Sequence, residues 1–321
     1  MVVAELMFYT SKAPDNPNIM NVIHWNAPFD GHEIRERIYQ GDIVILEPTE
    51  TSRRLCRLAA DLCWQAFLPL NPVDAHLSIP VEDYVAVLAR LKPKFIHHPK
   101  AKELIRVILE ERAFDVATTY FDVPRLRSMT NREYLSSGIA LSFHPHRDTW
   151  YSAPPSQINW WVPVFGMTVE NGIAFHPEFW DHPIANTSHV YNYEEWKRTC
   201  RAAAASQIHK DTRVQPHPLE AADFEAAIKP VVEPGSFILF SAAQLHSSIP
   251  NETNDTRFSI DFRTVDIGDI AAFRGAANVD SECTGTTLAD YLRADTLEHI
   301  ADELIQPYVA GIRKLPAVEP A

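Results

Sequence analysis

Three shortages bound what this 321-residue chain can be. Cysteine is scarce: only Cys56, Cys63, Cys200 and Cys283 occur, and no pair has Cys-x-x-Cys spacing. That excludes a disulfide-dense scaffold and fits a reduced, intracellular protein. Basic residues are outnumbered, 29 Lys and Arg against 42 Asp and Glu, giving a formal charge of -13 with no long like-charge run. Nucleic acid is excluded as a partner on that ground, because phosphate binding needs a strongly basic surface. Long apolar runs are missing too, since none approaches the ~20 residues of a spanning helix. Met1 to Ser11 carries no charged-then-apolar leader pattern. The expectation is a soluble, cytoplasmic protein, with peripheral contact at the cytoplasmic face of the inner membrane left open.

What is present is enough apolar residue, 46 %, to bury a sizeable core. There is no internal repeat and no low-complexity linker, so residues 1–321 read as one catalytic domain of the length that β-sandwich and barrel enzymes reach. From about 50 to 114 the pattern is helical. Leu55, Leu58, Ala59, Leu62, Cys63 and Phe67 recur at three- and four-residue steps. Val81 to Leu91 repeats this after Ser78 and Pro80, and Leu104, Val107 and Ile108 suggest a third helix. From about 115 to 265 short strand-like runs take over: Gly138 to Phe143, Gln157 to Val164, Ile173 to Phe175, Ser236 to Phe240 and Phe258 to Thr264. Asn171-Gly172 and Pro234-Gly235 mark turns between them. Tyr193 to Ile208 reads as an inserted helix. Beyond 266 the pattern is helical again, at Leu288 to Leu292 and Leu297 to Tyr308. The predicted fold is mainly β with flanking helices around a double-stranded β-helix, or jelly roll.

The chemistry concentrates in His144-Pro145-His146-Arg147-Asp148, read with His246 and Arg257. Two imidazoles and one carboxylate are the ligand set of a mononuclear non-haem Fe(II) oxygenase, which leaves three coordination positions open. His146 and Asp148 follow an apolar run and share strand parity, and His246 follows Phe237 to Phe240. His144 shares that parity and is a rival ligand; its other roles are to line the pocket or support the ligands. The chain holds 14 His, and His209-Lys210-Asp211 repeats the His-x-Asp pattern in a polar stretch with no apolar run before it. That second copy reads as surface or linker. Arg257 and Ser259 share one face of an apolar strand. A guanidinium grips a carboxylate through two parallel hydrogen bonds, and a neighbouring hydroxyl adds a third, so this pair suits 2-oxoglutarate. The competing reading is an ion pair of Arg257 with Asp255 or Asp261. Fe(II), 2-oxoglutarate and dioxygen are thus the expected cofactors and co-substrates.

The stretches His144 to His189 and Pro234 to Arg263 resemble the phytanoyl-CoA dioxygenase-like branch of the Fe(II)/2-oxoglutarate oxygenases. The resemblance rests on His146-x-Asp148, His246, Arg257-x-Ser259, the Asn171-Gly172 turn before Phe175-His176-Pro177, and Asn251. It covers about half the chain and implies a jelly roll that hydroxylates a C–H bond. Asp148 is a carboxylate where halogenating relatives carry a small residue, which implies hydroxylation rather than chlorination. Glu178 to Ser188 departs from the family's usual Pro-Gly-Ser-His wording there. Within the branch the chain most resembles the bacterial Kdo 3-hydroxylases, through His-Pro-His-Arg-Asp-Thr-Trp at 144–150 and the Trp160-Trp161 pair. This implies hydroxylation at C3 of the outer Kdo sugar of a lipopolysaccharide inner-core or lipid A precursor. The alternatives are a small natural product, amino acid or acyl thioester as substrate, a non-catalytic jelly-roll binding module, and a non-redox metal cupin.

On the substrate side, alternation lets only one of Trp160 and Trp161 face the interior. Gln157, Asn159 and Trp161 share a face, so Gln157 and Asn159 are candidate 2-oxoglutarate contacts. His144, Trp150, Trp161 and Arg127 are candidate pocket residues. Arg90, Lys92, Lys94, His97, His98, Lys100 and Lys102 crowd one segment, and Arg125, Arg127 and Arg132 another. Each group reads either as a solvated face or as an attractor of an anionic substrate or membrane surface.

Overall fold

The computed structural model describes residues 22–131, 133–141, 144–220 and 227–311. The leader reading of Met1 to Ser11 and the roles given to Arg132, Ser142 and Phe143 lie outside the described residues. Two sheets of unequal size face each other, with helices on the outside of the larger one. Strands β1 (Ile23–Trp25) and β2 (Ile43–Leu46) flank helix α1 (Gly31–Tyr39). Three helices follow: α2 (Glu50–Phe67), α3 (Val81–Ile96) and α4 (Pro99–Glu111). The large sheet is completed by β3 (Thr119–Phe121), β4 (Arg125–Met129), β5 (Ile158–Pro163), β7 (Phe237–Ser241), β9 (Arg257–Asp266) and β10 (Leu292–Arg293). Its order is β1-β2-β7-β5-β9-β3-β10, with β4 also paired to β9. The small sheet pairs β6 (Ile173–Phe175) with β8 (His246–Ser248), and single bridges at His146–His246 and Phe175–Ile228 extend it.

Local sequence explains most of this. Thr49 and Ser52 form a capping box that starts α2, and Leu55, Cys56, Ala59, Cys63 and Phe67 give it one buried face. Together with Tyr84, Leu88, Phe95, Leu104 and Ile108 of α3 and α4, that face covers Trp160, Phe258, Ile260 and Phe262 of the large sheet. On β5, Trp160 therefore points to the helices and Trp161 to the opposite cluster with Ile238 and Phe175. The strands β2, β5 and β7, buried on both faces, read as near-continuous apolar runs.

Four expectations need correction. The strand expected from Gly138 does not form over its described residues: Gly138–Ala140 is a 3-10 turn. Gly138 has φ +58°, and a Cβ there would meet the Ala204 carbonyl at 2.4 Å, so the turn is built on glycine. The inserted helix is shorter than expected, α5 (Tyr193–Thr199), followed by a 3-10 segment over Arg201–Ser206. Leu288 to Leu292 is a 3-10 turn leading into β10 rather than a helix, and a short α6 (Ile267–Ala271) precedes it. Leu297 has φ +62°, which a helix cannot accommodate, so the last helix starts later, as α7 (Asp302–Val309). Residues 23–46, for which no element was expected, add two strands to the sheet edge. Among the described residues no helix is long and apolar enough to cross a membrane.

Candidate metal and co-substrate site

The site lies between the sheets, in a cavity of about 280 Å³. His146 and His246 are bridge partners: each backbone N–H donates to the other's carbonyl, at 2.9 and 3.0 Å. Directly opposed residues project to the same side of a sheet, and the two rings stand 4.3 Å apart. Each ring is oriented by a nearby carbonyl. His146 Nδ1 lies 2.8 Å from the His144 oxygen, and His246 Nδ1 lies 2.9 Å from the Gln244 oxygen. A neutral imidazole that donates there presents the lone pair of Nε2. Both Nε2 atoms converge on Asp148 Oδ1, at 3.5 and 3.9 Å. The three ligand atoms lie within 4.8 Å of one another. Burial works against ionisation of Asp148, but hydrogen bonding and charge from His146 and His246 outweigh it and hold its carboxyl down at about 2. Burial, then His146, lowers His246 to about 4, which keeps that imidazole neutral and able to ligate. These residues fit a divalent iron in donor type and convergence.

Asp148 does not continue a strand from His146, as the sequence spacing suggests. It opens a 3-10 turn, Asp148–Tyr151, and that turn brings its carboxylate back to the two histidines.

At the other end of the cavity, Arg257 and Ser259 share the inner face of β9. Arg257 is 7 % exposed, and its guanidinium carbon stands 5.3 Å from the centre of the Trp161 ring. Its Nη1 donates to the carbonyls of Asn171 and Gly172, at 3.0 and 2.7 Å. Its Nε and the Ser259 hydroxyl are buried with no hydrogen-bond partner. The ion pair with Asp255 or Asp261 is not formed, because Asp261 is engaged by Arg127 and Arg263. A buried guanidinium without a carboxylate is costly, and here burial brings its pKa down to about 10. Such a pair of orphaned donors suits an anion that arrives later.

The structure reassigns several expected contacts. His144 is not a ligand: its Nε2 lies 2.7 Å from the Pro216 oxygen and its ring packs on His217, away from the cavity lining. Trp150 does not line the cavity; it is wholly buried and donates to Asp280 at 2.6 Å. Gln157 and Asn159 do face the site, but Gln157 Nε2 donates to Asp148 Oδ2 at 3.0 Å, so its partner is a ligand carboxylate. Trp161 and Arg127 line the cavity. The basic group at Arg125 and Arg127 is no solvated face, because both side chains turn inward onto Asp122 and Asp261. Lys92 likewise leaves the other basic group and donates to the Ile139 carbonyl. In the decoy motif, His209 is exposed beside Glu82, and Asp211 is bound by Arg213.

The family model described as phytanoyl-CoA dioxygenase (PhyH) matches residues 74–259, more than half of the chain and a span holding all five residues above. The chain belongs to that family. It is a non-haem iron oxygenase dependent on 2-oxoglutarate. No curated protein matches this phytanoyl-CoA dioxygenase family member. Solved structures similar to it include EvdO2 from Micromonospora carbonacea var. aurantiaca complexed with 2-oxoglutarate: 16 % identity, 74 % of this chain and 91 % of that one, TM-score 0.43. The epimerase SnoN in complex with Fe3+, alpha ketoglutarate and nogalamycin RO is 14 % identical over 73 % and 84 %, with a TM-score of 0.36. AviO1 from Streptomyces viridochromogenes Tue57 is 12 % identical over 75 % and 96 %, with a TM-score of 0.35.

Arg147, within the motif of this family member, was given no role from sequence. It is fully buried and cross-links the metal loop to three distant segments. It donates to Ala243 O and Phe179 O, both at 2.5 Å, to His182 O at 3.0 Å and to Asp280 at 3.2 Å. A buried Asp–Arg pair with one member removed typically loses about 3–5 kcal/mol. Arg147→Met is therefore expected to lower the unfolding free energy by about that amount, read from denaturant melts. A loss under about 1 kcal/mol contradicts this role.

Proposed function

We propose that His146, Asp148 and His246 hold Fe(II), and that Arg257 and Ser259 clamp the distal carboxylate of 2-oxoglutarate. The observation that carries this reading is the pairing of two features: three converged ligand atoms, and in the same cavity the buried Arg257 guanidinium, whose Nε has no hydrogen-bond partner, with the unpartnered Ser259 hydroxyl two residues along β9. When bound, iron supplies the oxidation of 2-oxoglutarate by dioxygen to succinate and carbon dioxide, coupled to hydroxylation of a C–H bond. The protein's own part is positional. The carbonyls of His144 and Gln244 fix the imidazole rings, and Trp161 forms an apolar wall beside the guanidinium. With Fe(II) and 2-oxoglutarate supplied, succinate should accumulate with time. Absence of succinate under air, with iron bound, overturns the assignment.

For the substrate we infer an anionic sugar, the outer Kdo of a lipid A precursor hydroxylated at C3. Support comes from the wording at 144–150 and from charge. Among the described residues, Arg125, Arg127, Arg201, Arg213, Arg257 and Arg263 line the cavity against Asp122, Asp148 and Asp261. That is an excess of three cations before iron and 2-oxoglutarate are counted, within a protein of net charge -13. Kdo carries a carboxylate that such a wall would attract. Detergent-dispersed Kdo-bearing lipid A precursor should raise succinate formation above the rate without substrate. In Arg125→Gln its Michaelis constant should rise about tenfold, the worth of one charged contact, with that for 2-oxoglutarate unchanged. No stimulation by this lipid removes the Kdo reading and leaves the reaction class standing.

A further inference from the structure

The chain holds a polar relay that neither the motif nor the clamp accounts for. Gln157 precedes β5 and faces the cavity. Its Nε2 donates to Asp148 Oδ2 at 3.0 Å and to Asn159 Oδ1 at 2.9 Å. Its Oε1 accepts from the Tyr291 hydroxyl at 2.8 Å. Tyr291 comes from the far C-terminal segment and is 1 % exposed; burial raises its phenol well above the ordinary range, so it stays a neutral donor. The backbone locks the arrangement, since Ala242 N–H donates to the Gln157 carbonyl at 3.1 Å and Thr149 N–H to the Ala242 carbonyl at 3.2 Å. The two oxygens of Asp148 are thereby distinguished. Oδ1 faces the histidine Nε2 atoms, and Oδ2 is engaged by an amide.

We propose that Gln157 and Tyr291 are positioning residues that keep Asp148 a one-oxygen ligand and tie the C-terminal segment to the metal centre. The inference rests on the metal reading above. A carboxylate can bind through both oxygens. If Asp148 did so, it would fill one of the three positions that 2-oxoglutarate and dioxygen need. Engaging Oδ2 prevents this, and Tyr291 fixes which way the Gln157 amide points. Side chains that orient ligands are typically worth 10- to 100-fold in metal affinity.

The test measures Fe(II) dissociation constants of apo wild type, Gln157→Leu, Tyr291→Phe and His146→Ala without oxygen, with melting temperatures and the visible spectrum of each Co(II)-loaded protein. Gln157→Leu is expected to bind Fe(II) about 10- to 100-fold more weakly and to show an altered Co(II) spectrum. Tyr291→Phe, which removes one oxygen atom, should weaken binding by about three- to tenfold at wild-type melting temperature. If Gln157→Leu fails to fold, Tyr291→Phe decides. Wild-type affinity and spectrum in the folded variants overturn the relay. If wild type itself binds no Fe(II), or His146→Ala binds as well as wild type, the metal reading fails instead.

Discussion

His146→Ala will lose metal binding and 2-oxoglutarate turnover together, while His144→Ala, two residues away, keeps both. The ligand set has only three protein donors, and each His supplies one. Removing a donor leaves two at a site already built around open positions, so Fe(II) affinity should fall at least about 100-fold, beyond what loss of an orienting group costs. His144 contributes only its backbone carbonyl, which survives the substitution and still orients His146. Its ring contacts Pro216 and His217, so the expected cost of His144→Ala is in stability. His209→Ala, in the decoy motif, should change neither, since its side chain is exposed. The measurements are anaerobic Fe(II) titration and succinate yield. Loss of metal binding in His144→Ala with full binding in His146→Ala reverses the assignment.

Arg257→Leu will separate stability from function. Two or more charge-assisted hydrogen bonds to a carboxylate, at about 1.5–3 kcal/mol each, translate into a Michaelis constant for 2-oxoglutarate at least about 100-fold higher. The apo protein should not melt earlier by a comparable amount. Its guanidinium is buried with Nε unpartnered, and an apolar side chain of similar length avoids the desolvation that this cation suffers. The offsetting loss is two hydrogen bonds to Asn171 and Gly172, each with a net worth of about 1 kcal/mol. A collapse in melting temperature with unchanged 2-oxoglutarate kinetics would assign Arg257 to the scaffold. Arg257→Lys should recover little, because an ammonium lacks the planar fork.

The same contrast governs what could be read along the chain. Helices α2 to α4 were legible because a 3.6-residue apolar period with start signals is a local property. So were the strands at β5, β7 and β9, and the placing of Trp160 and Trp161 on opposite faces, which follows from alternation. Strands β1 and β2 were not legible: a three- or four-residue run at a sheet edge carries too few residues to show a period. Gly138 to Phe143 misled because composition alone cannot reveal that Gly138 adopts a left-handed backbone conformation against Ala204. The roles of Arg147, Asp280 and Tyr291 were invisible, since their partners lie from 32 to 134 residues away along the chain.

By itself the sequence determined the donor inventory: two imidazoles, a carboxylate, a guanidinium and a hydroxyl at spacings that one family uses. It favoured His146 over His144 only through the i+2 pairing with Asp148, because the two share residue type and parity. Tertiary structure supplies the physical ground through one backbone bridge, His146 to His246, which aims two rings at one point and leaves His144 outside. It also decided that Gln157 serves Asp148 and that Arg257 has no carboxylate of its own. The physical reason is the same in each case. Residue type sets what a group can donate or accept, and only the packing of distant segments sets which partner it meets.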